Sequence, residues 1–215
     1  MFVPSHRIAR AGGWAALIAG ILGAAAAIFL IVVPAAVPET VFGYPLTPAG
    51  HLFVQTVIGV QHLLAAVALW ALWRSGLAGP TRFAAVSGCV AAGIFALFGV
   101  WEFIVGAFGN EPDPSPTTDL LDSGYATFSI LVAVSLVIFG IAVVRARALG
   151  GVSRWGVIVF GIFLIVPGIP LLSLGFLAGR VVIGAWLLIL IWIGWAMLRS
   201  AKTTAASPHA VEAVA

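Results

Sequence analysis

Apolar residues run along this chain in stretches too long for the elements of a soluble domain. Six of them stand out, at 14–33, 51–73, 83–108, 125–144, 155–177 and 181–198. A helix needs about 20 mostly apolar residues to cross a hydrocarbon core of ~30 Å, and its backbone must be hydrogen-bonded internally because lipid offers no partner. The pattern predicts an all-α polytopic membrane protein. A six-transmembrane-helix bundle would occupy 1–200, and 201–215 would be a disordered cytoplasmic tail of small and polar residues. Small residues recur at four-residue spacing in the first span (Ala16, Gly20, Ala24) and the third (Ala84, Gly88, Ala92). Such rows let helix backbones approach closely, so they are expected to face other helices of the same bundle.

Composition agrees with this reading. The chain has 215 residues, 62% hydrophobic and 8% charged, against roughly 25% charged in soluble proteins. The first apolar stretch follows Arg7 and Arg10, as a secretory signal would. It exceeds the usual 7–15 apolar residues of such a signal and is read as an uncleaved anchor. A single cysteine, Cys89, leaves no intramolecular disulfide and no CxxC site.

Charge orients the bundle. Of the ten Lys and Arg residues, Arg7, Arg10, Arg74, Arg82, Arg145, Arg147, Arg154, Arg199 and Lys202 fall on one side of the predicted membrane, and only Arg180 on the other. Acids (Glu39, Glu111, Asp113, Asp119 and Asp122) gather opposite. Positive-inside bias makes the basic side cytoplasmic, with both termini there. Trp14, Trp70, Trp73, Trp155 and Trp195 sit at the same side, where amphipathic rings rest at headgroup level. These bases stand singly or in pairs beside apolar runs, so the high isoelectric point is a topology signal and no nucleic-acid partner is expected. The Ala-, Val-, Arg- and Gly-rich, lysine-poor composition is similar to that of high-GC bacteria, which suggests a bacterial inner (plasma) membrane. The three hairpins share basic and aromatic ends, and Gly20 and Gly161 each follow a tryptophan by six residues. Aromatic belts and charge bias alone impose such similarity, so no internal repeat is inferred.

Two connections on the acidic side are long. The first, 34–50, carries Pro34, Pro38, Pro45 and Pro48 and should be extended or turn-rich. The second, 109–124, is acidic, proline-punctuated and without helical periodicity. It is expected to be a solvated loop, and it lacks the spacing of an EF-hand.

Chemistry has few candidates. An ionisable side chain inside a bilayer costs about 2.5–3.5 kcal/mol at mid-helix, so each one raises a functional question. Glu102 lies in span three. On span two His51, Gln55 and His62 share a sector about 40° wide, a polar stripe running inward from the outer mouth. Glu102 stands at roughly the depth of Gln55. Tyr125 and Arg180 would form the rim of an outward-facing site. Pro167, Gly168 and Pro170 should kink or break span five, as in transporters that expose backbone to a substrate. The alternative is packing: Glu102 paired with Arg180 or beside Trp101, His51 among headgroups, His62 bonded to a carbonyl one helix away.

No cofactor or metal is expected. His51 and His62 are about 16 Å apart along one helix and cannot clamp one haem. His6 and His209 lie in the tails, and His51, Gln55 and Glu102 are a poor zinc set. No G-x-S-x-G, H-E-x-x-H or P-loop occurs, so enzymatic activity is not the expectation. The sequence points first to a structural or accessory component of a membrane assembly. Its partners would be the lipid bilayer and another membrane protein or a second copy. The second reading is a small proton- or cation-linked transporter built around Glu102 and His62.

Overall fold

Three of the long helices start on a hydroxyl. Thr47 accepts from the Gly50 N–H (3.3 Å) ahead of α2, Pro48–Arg74. Thr81 accepts from the Ala84 N–H (3.1 Å) ahead of α3, Arg82–Val105. Ser115 opens α4, Pro116–Ala146, through a reciprocal pair: the Thr118 N–H donates to Ser115 Oγ (3.2 Å) and the Ser115 N–H to Thr118 Oγ1 (2.8 Å). Each side chain satisfies a backbone donor that the first helical turn leaves free.

The computed structural model describes residues 5–206. The remaining helices are α1, His6–Val32; α5, Gly156–Phe163; the short α6, Ile169–Leu172; and α7, Phe176–Ala206. A 3-10 turn, Gly106–Phe108, ends the third span, and another, Gly151–Trp155, begins the fifth. The described residues form an all-helical structure with six helical stretches long and apolar enough to cross a membrane, as expected of a multi-pass membrane protein, and contain no strand.

Several boundaries move. α4 begins at Pro116, so the stretch 116–124, expected as loop, is helical. The Ser115–Thr118 capping pair, Pro116 at the first helical position and Asp119 in the first turn explain why. α7 takes in Arg180, expected between spans, and continues to Ala206, past the expected end at 198. Ala201 is buried there against the core, which gives the extra turn something to hold. The rest of the expected tail, 207–215 with His209, lies outside the described residues.

The fifth span is broken where its prolines lie. Pro167 has no N–H for the carbonyl of Phe163, and the helix widens into a π turn, Leu164–Gly168, in which the Ile169 N–H donates to the Leu164 carbonyl. α6 follows for one turn. The chain then reverses at Gly175, whose φ of +103° is open to glycine at little cost.

The helices form a closed ring of neighbours in chain order. α1 touches α2, α2 touches α3, α3 touches α4, α4 touches α5, α5 touches α7, and α7 returns to α1. At the return seam Ala16 and Gly20 are buried. A Cβ on Gly20 would stand 2.9 Å from the Leu187 carbonyl oxygen, and one on Gly194 2.7 Å from that of Gly13. The second row, Ala84, Gly88 and Ala92, is buried too, with Gly88 against Trp73 and Phe139. In the centre of the ring Phe95 (α3), Phe160 (α5) and Trp186 (α7) stack, with centroids 4.5 Å apart for Phe160–Trp186 and 6.1 Å for Phe95–Phe160. The Trp186 indole N–H donates to the Phe160 carbonyl (2.8 Å) just before the π turn. The two long connections at the acidic end are laced together: the Phe42 N–H donates to Glu111 O (3.0 Å) and the Asp113 N–H to Thr40 O (2.9 Å).

Candidate functional site

The ring brings α2, α3 and α4 together at one corner, and the polar residues of the three helices meet there. Glu102 is 3% exposed. The Tyr125 hydroxyl donates to its Oε2 at 2.7 Å and accepts from the Gln55 amide N–H at 3.1 Å. One hydroxyl thus joins three helices, using its single proton toward the acid and a lone pair toward the amide. Tyr125, expected at the rim, stands nine residues inside α4 because that helix starts at Pro116. The equal depth of Gln55 and Glu102 is what lets one tyrosine reach both.

His62 is buried beside this chain without joining it. Its Nδ1 lies 2.9 Å from the Ile58 carbonyl of its own helix and 3.9 Å from Glu102 Oε1. A carbonyl only accepts, so Nδ1 carries the proton and directs it at Ile58. The longer distance to Glu102 is beyond hydrogen bonding. The ring rests between Phe98 and Phe95, with centroids at 4.4 and 5.9 Å. Phe98 also stacks on Phe128 at 5.3 Å, so aromatic carbon lines the inner side of the corner.

His51 has a different surrounding. It is 7% exposed, with Nε2 3.3 Å from the carbonyl of Val105, where α3 tightens into its 3-10 turn. Phe42 meets its ring edge-on at 5.8 Å, and a Cβ on Gly109 would lie 3.0 Å from it. Both connections of the acidic end therefore close over His51, which ties α2 to the end of α3 and does not face headgroups. Arg180 makes no ion pair with Glu102 among the described residues. Its guanidinium sits over the Phe176 ring at 4.9 Å, within electrostatic reach of Glu102, Tyr125 and His51. Trp101 packs against Gly124 and Phe128. The break at Pro167, Gly168 and Pro170 packs near α4 and α7; the Phe95–Phe160–Trp186 stack belongs to the same part of the ring.

Gln61 points away from the His51–Gln55–His62 stripe by helical spacing and is not among the expected site residues. It is 1% exposed and lies against α1, with its Cγ 3.3 Å from where a Gly23 Cβ would be. Its Nε2, like His62 Nε2 and Gln55 Oε1, is buried without a hydrogen-bond partner among the described residues. An amide in the middle of an apolar run was the available signal. No group of three or more His, Cys, Asp or Glu side chains able to hold a metal occurs among the described residues.

Two surface clefts lie at the opposite, base-rich end of the bundle, and neither touches Glu102 or His62. One, of about 540 Å³, runs between α1 and α7; the other, of about 180 Å³, is lined by Trp73, Arg74 and the turn that follows. No protein-family model matches the chain, and neither a curated protein nor a solved structure matches it.

Proposed function

We propose that the chain is a multi-pass protein of a bacterial plasma membrane, with both termini cytoplasmic, that serves as a structural or accessory component of a membrane assembly. In this reading the Glu102 corner is a clasp that fixes spans two, three and four. The observation that carries it is the Gln55–Tyr125–Glu102 chain, closed in one direction by Phe98 and Phe128. Buried polar groups bonded in sequence across helices hold one arrangement of a bundle against slippage. Orientation is supported by the nine bases at one end, several of which stack on belt tryptophans: Arg74 over Trp73 (5.4 Å), Arg154 over Trp155 (5.8 Å) and Arg199 over Trp195 (3.7 Å). The partners are the lipid bilayer and a neighbouring membrane protein or second copy.

Glu102→Gln tests this reading, because an amide oxygen can still accept from Tyr125. The variant should fold, insert and complement a strain lacking the protein as the natural chain does. A folded variant that fails to complement overturns it.

A specific observation favours the second reading. Gln55 Oε1, Gln61 Nε2 and His62 Nε2 are buried without partners among the described residues, whereas such groups are ordinarily satisfied. A proton- or cation-linked transporter would use them together with Glu102. Vesicles loaded with a pH-sensitive dye would then show flux through the natural chain and none through Glu102→Gln or His62→Ala.

A further inference from the structure

The cleft between α1 and α7 is built on two levels. Trp14, Leu17, Trp195 and Leu198 form an apolar storey, and His6, Arg10, Arg199 and Lys202 stand beyond it. The levels follow from the antiparallel pairing. Arg10 precedes Trp14 by one turn on α1, and Arg199 follows Trp195 by one turn on α7. Both bases therefore sit about 6 Å farther along the bundle axis than the two indoles. The Arg199 guanidinium carbon stands over the Trp195 ring, 3.7 Å from its centroid, a stacking that holds the charge at the cleft. Arg10, Arg199 and Lys202 have no ion pair among the described residues. Below the cleft the two helices present exposed apolar side chains, Ile18 and Ile21 on α1 and Leu188 on α7.

Positive-inside bias explains why bases occur at this end. It does not explain why three of the ten Lys and Arg residues, with a histidine, line one cleft, while the second cleft has Arg74 alone. We propose that this cleft is a binding site for an anionic phospholipid. The phosphate would lie among Arg10, Arg199 and Lys202, the glycerol against Trp14 and Trp195, and the acyl chains along Ile18, Ile21 and Leu188. The charge selects an anion, and the apolar storey continuing into the lipid-facing surface selects one that carries chains. This site is separate from the Glu102 corner and does not depend on how that corner is read.

The test uses the full chain in vesicles of phosphatidylcholine containing a small fraction of phosphatidylglycerol, with one or the other lipid brominated on its acyl chains. Bromine quenches tryptophan on contact. Quenching per brominated lipid should be at least tenfold more effective for phosphatidylglycerol. Each basic residue near a membrane surface contributes about fivefold to attraction of anionic lipid, so Arg10→Gln with Arg199→Gln should bring the two lipids close to equal quenching. Trp14→Phe with Trp195→Phe should remove the preferential quenching and leave the other six tryptophans responding alike to both lipids. Equal quenching by the two lipids in the natural chain overturns the proposal. So does protection of the cleft by inorganic phosphate alone, or a dimer that buries Trp14 and Trp195 without lipid.

Discussion

Two parts of the helix ring, the α1–α7 seam and the α2–α3–α4 corner, are held by opposite means. Along the α1–α7 seam the backbones are in close approach: Gly13, Gly20 and Gly194 bring carbonyl oxygens within about 3 Å of where a side chain would begin. At the α2–α3–α4 corner the helices are joined through Tyr125, Glu102 and Gln55. In lipid the apolar surfaces of helices gain little from leaving a medium as apolar as themselves, so association rests on close packing and on hydrogen bonds. The seam uses the first and is sensitive to volume. The corner uses the second and is sensitive to donors and acceptors.

That contrast can be broken most severely at the seam. Gly194→Leu would place carbon 2.7 Å from Gly13 O and 2.8 Å from Leu17 N, both backbone atoms that cannot turn aside. Overpacking of a filled interior costs up to about 3 kcal/mol, and this site belongs at the upper end. Heating in detergent followed by size-exclusion chromatography should show the variant losing its monodisperse peak well below the natural chain. Tyr125→Phe keeps volume at the corner but leaves Glu102 Oε2 and the Gln55 amide unpaired. It should cost about 1–3 kcal/mol, read from titration with a denaturing detergent. No measurable loss from Tyr125→Phe would refute the division drawn above, because the corner would then not depend on its donors and acceptors. Smallest is Ser115→Ala, worth about 1 kcal/mol as a lost cap. Its effect should be confined to faster amide exchange in the first turns of α4, with the seam and the Glu102 corner unchanged.

The position of Ser115 also shows where reading the chain by apolar periodicity falls short. The segment 116–124 has no apolar stripe, yet its first turn is capped by Ser115 and Thr118 and its remainder is carried by the apolar helix beyond it. A serine and a threonine three residues apart around a proline were the visible signal. Misplacing that boundary put Tyr125 at a rim, when the residue is the hub of the corner. Gln55 and Glu102 could be matched in depth from spacing alone, but not the residue that joins them. The packing alternative bonds His62 to a carbonyl one helix away, whereas its ring meets Ile58 O on its own helix, a choice made by side-chain rotation.

What the amino-acid order determined by itself is the set of six apolar helices and the segregation of bases and acids to opposite ends. Both follow from local composition: a run of about 20 apolar residues cannot be solvated, and charge lies where water can reach it. The prolines likewise announced the break in the fifth span, because a missing N–H is a property of the residue. Which helices touch was decided only in three dimensions. The closing of α7 on α1, the burial of His51 under two connections and the meeting of Gln55, Tyr125 and Glu102 all depend on how six similar cylinders rotate about their axes. In a chain this apolar many rotations look alike residue by residue, and only the fit of glycine against backbone and of hydroxyl against carboxyl selects among them.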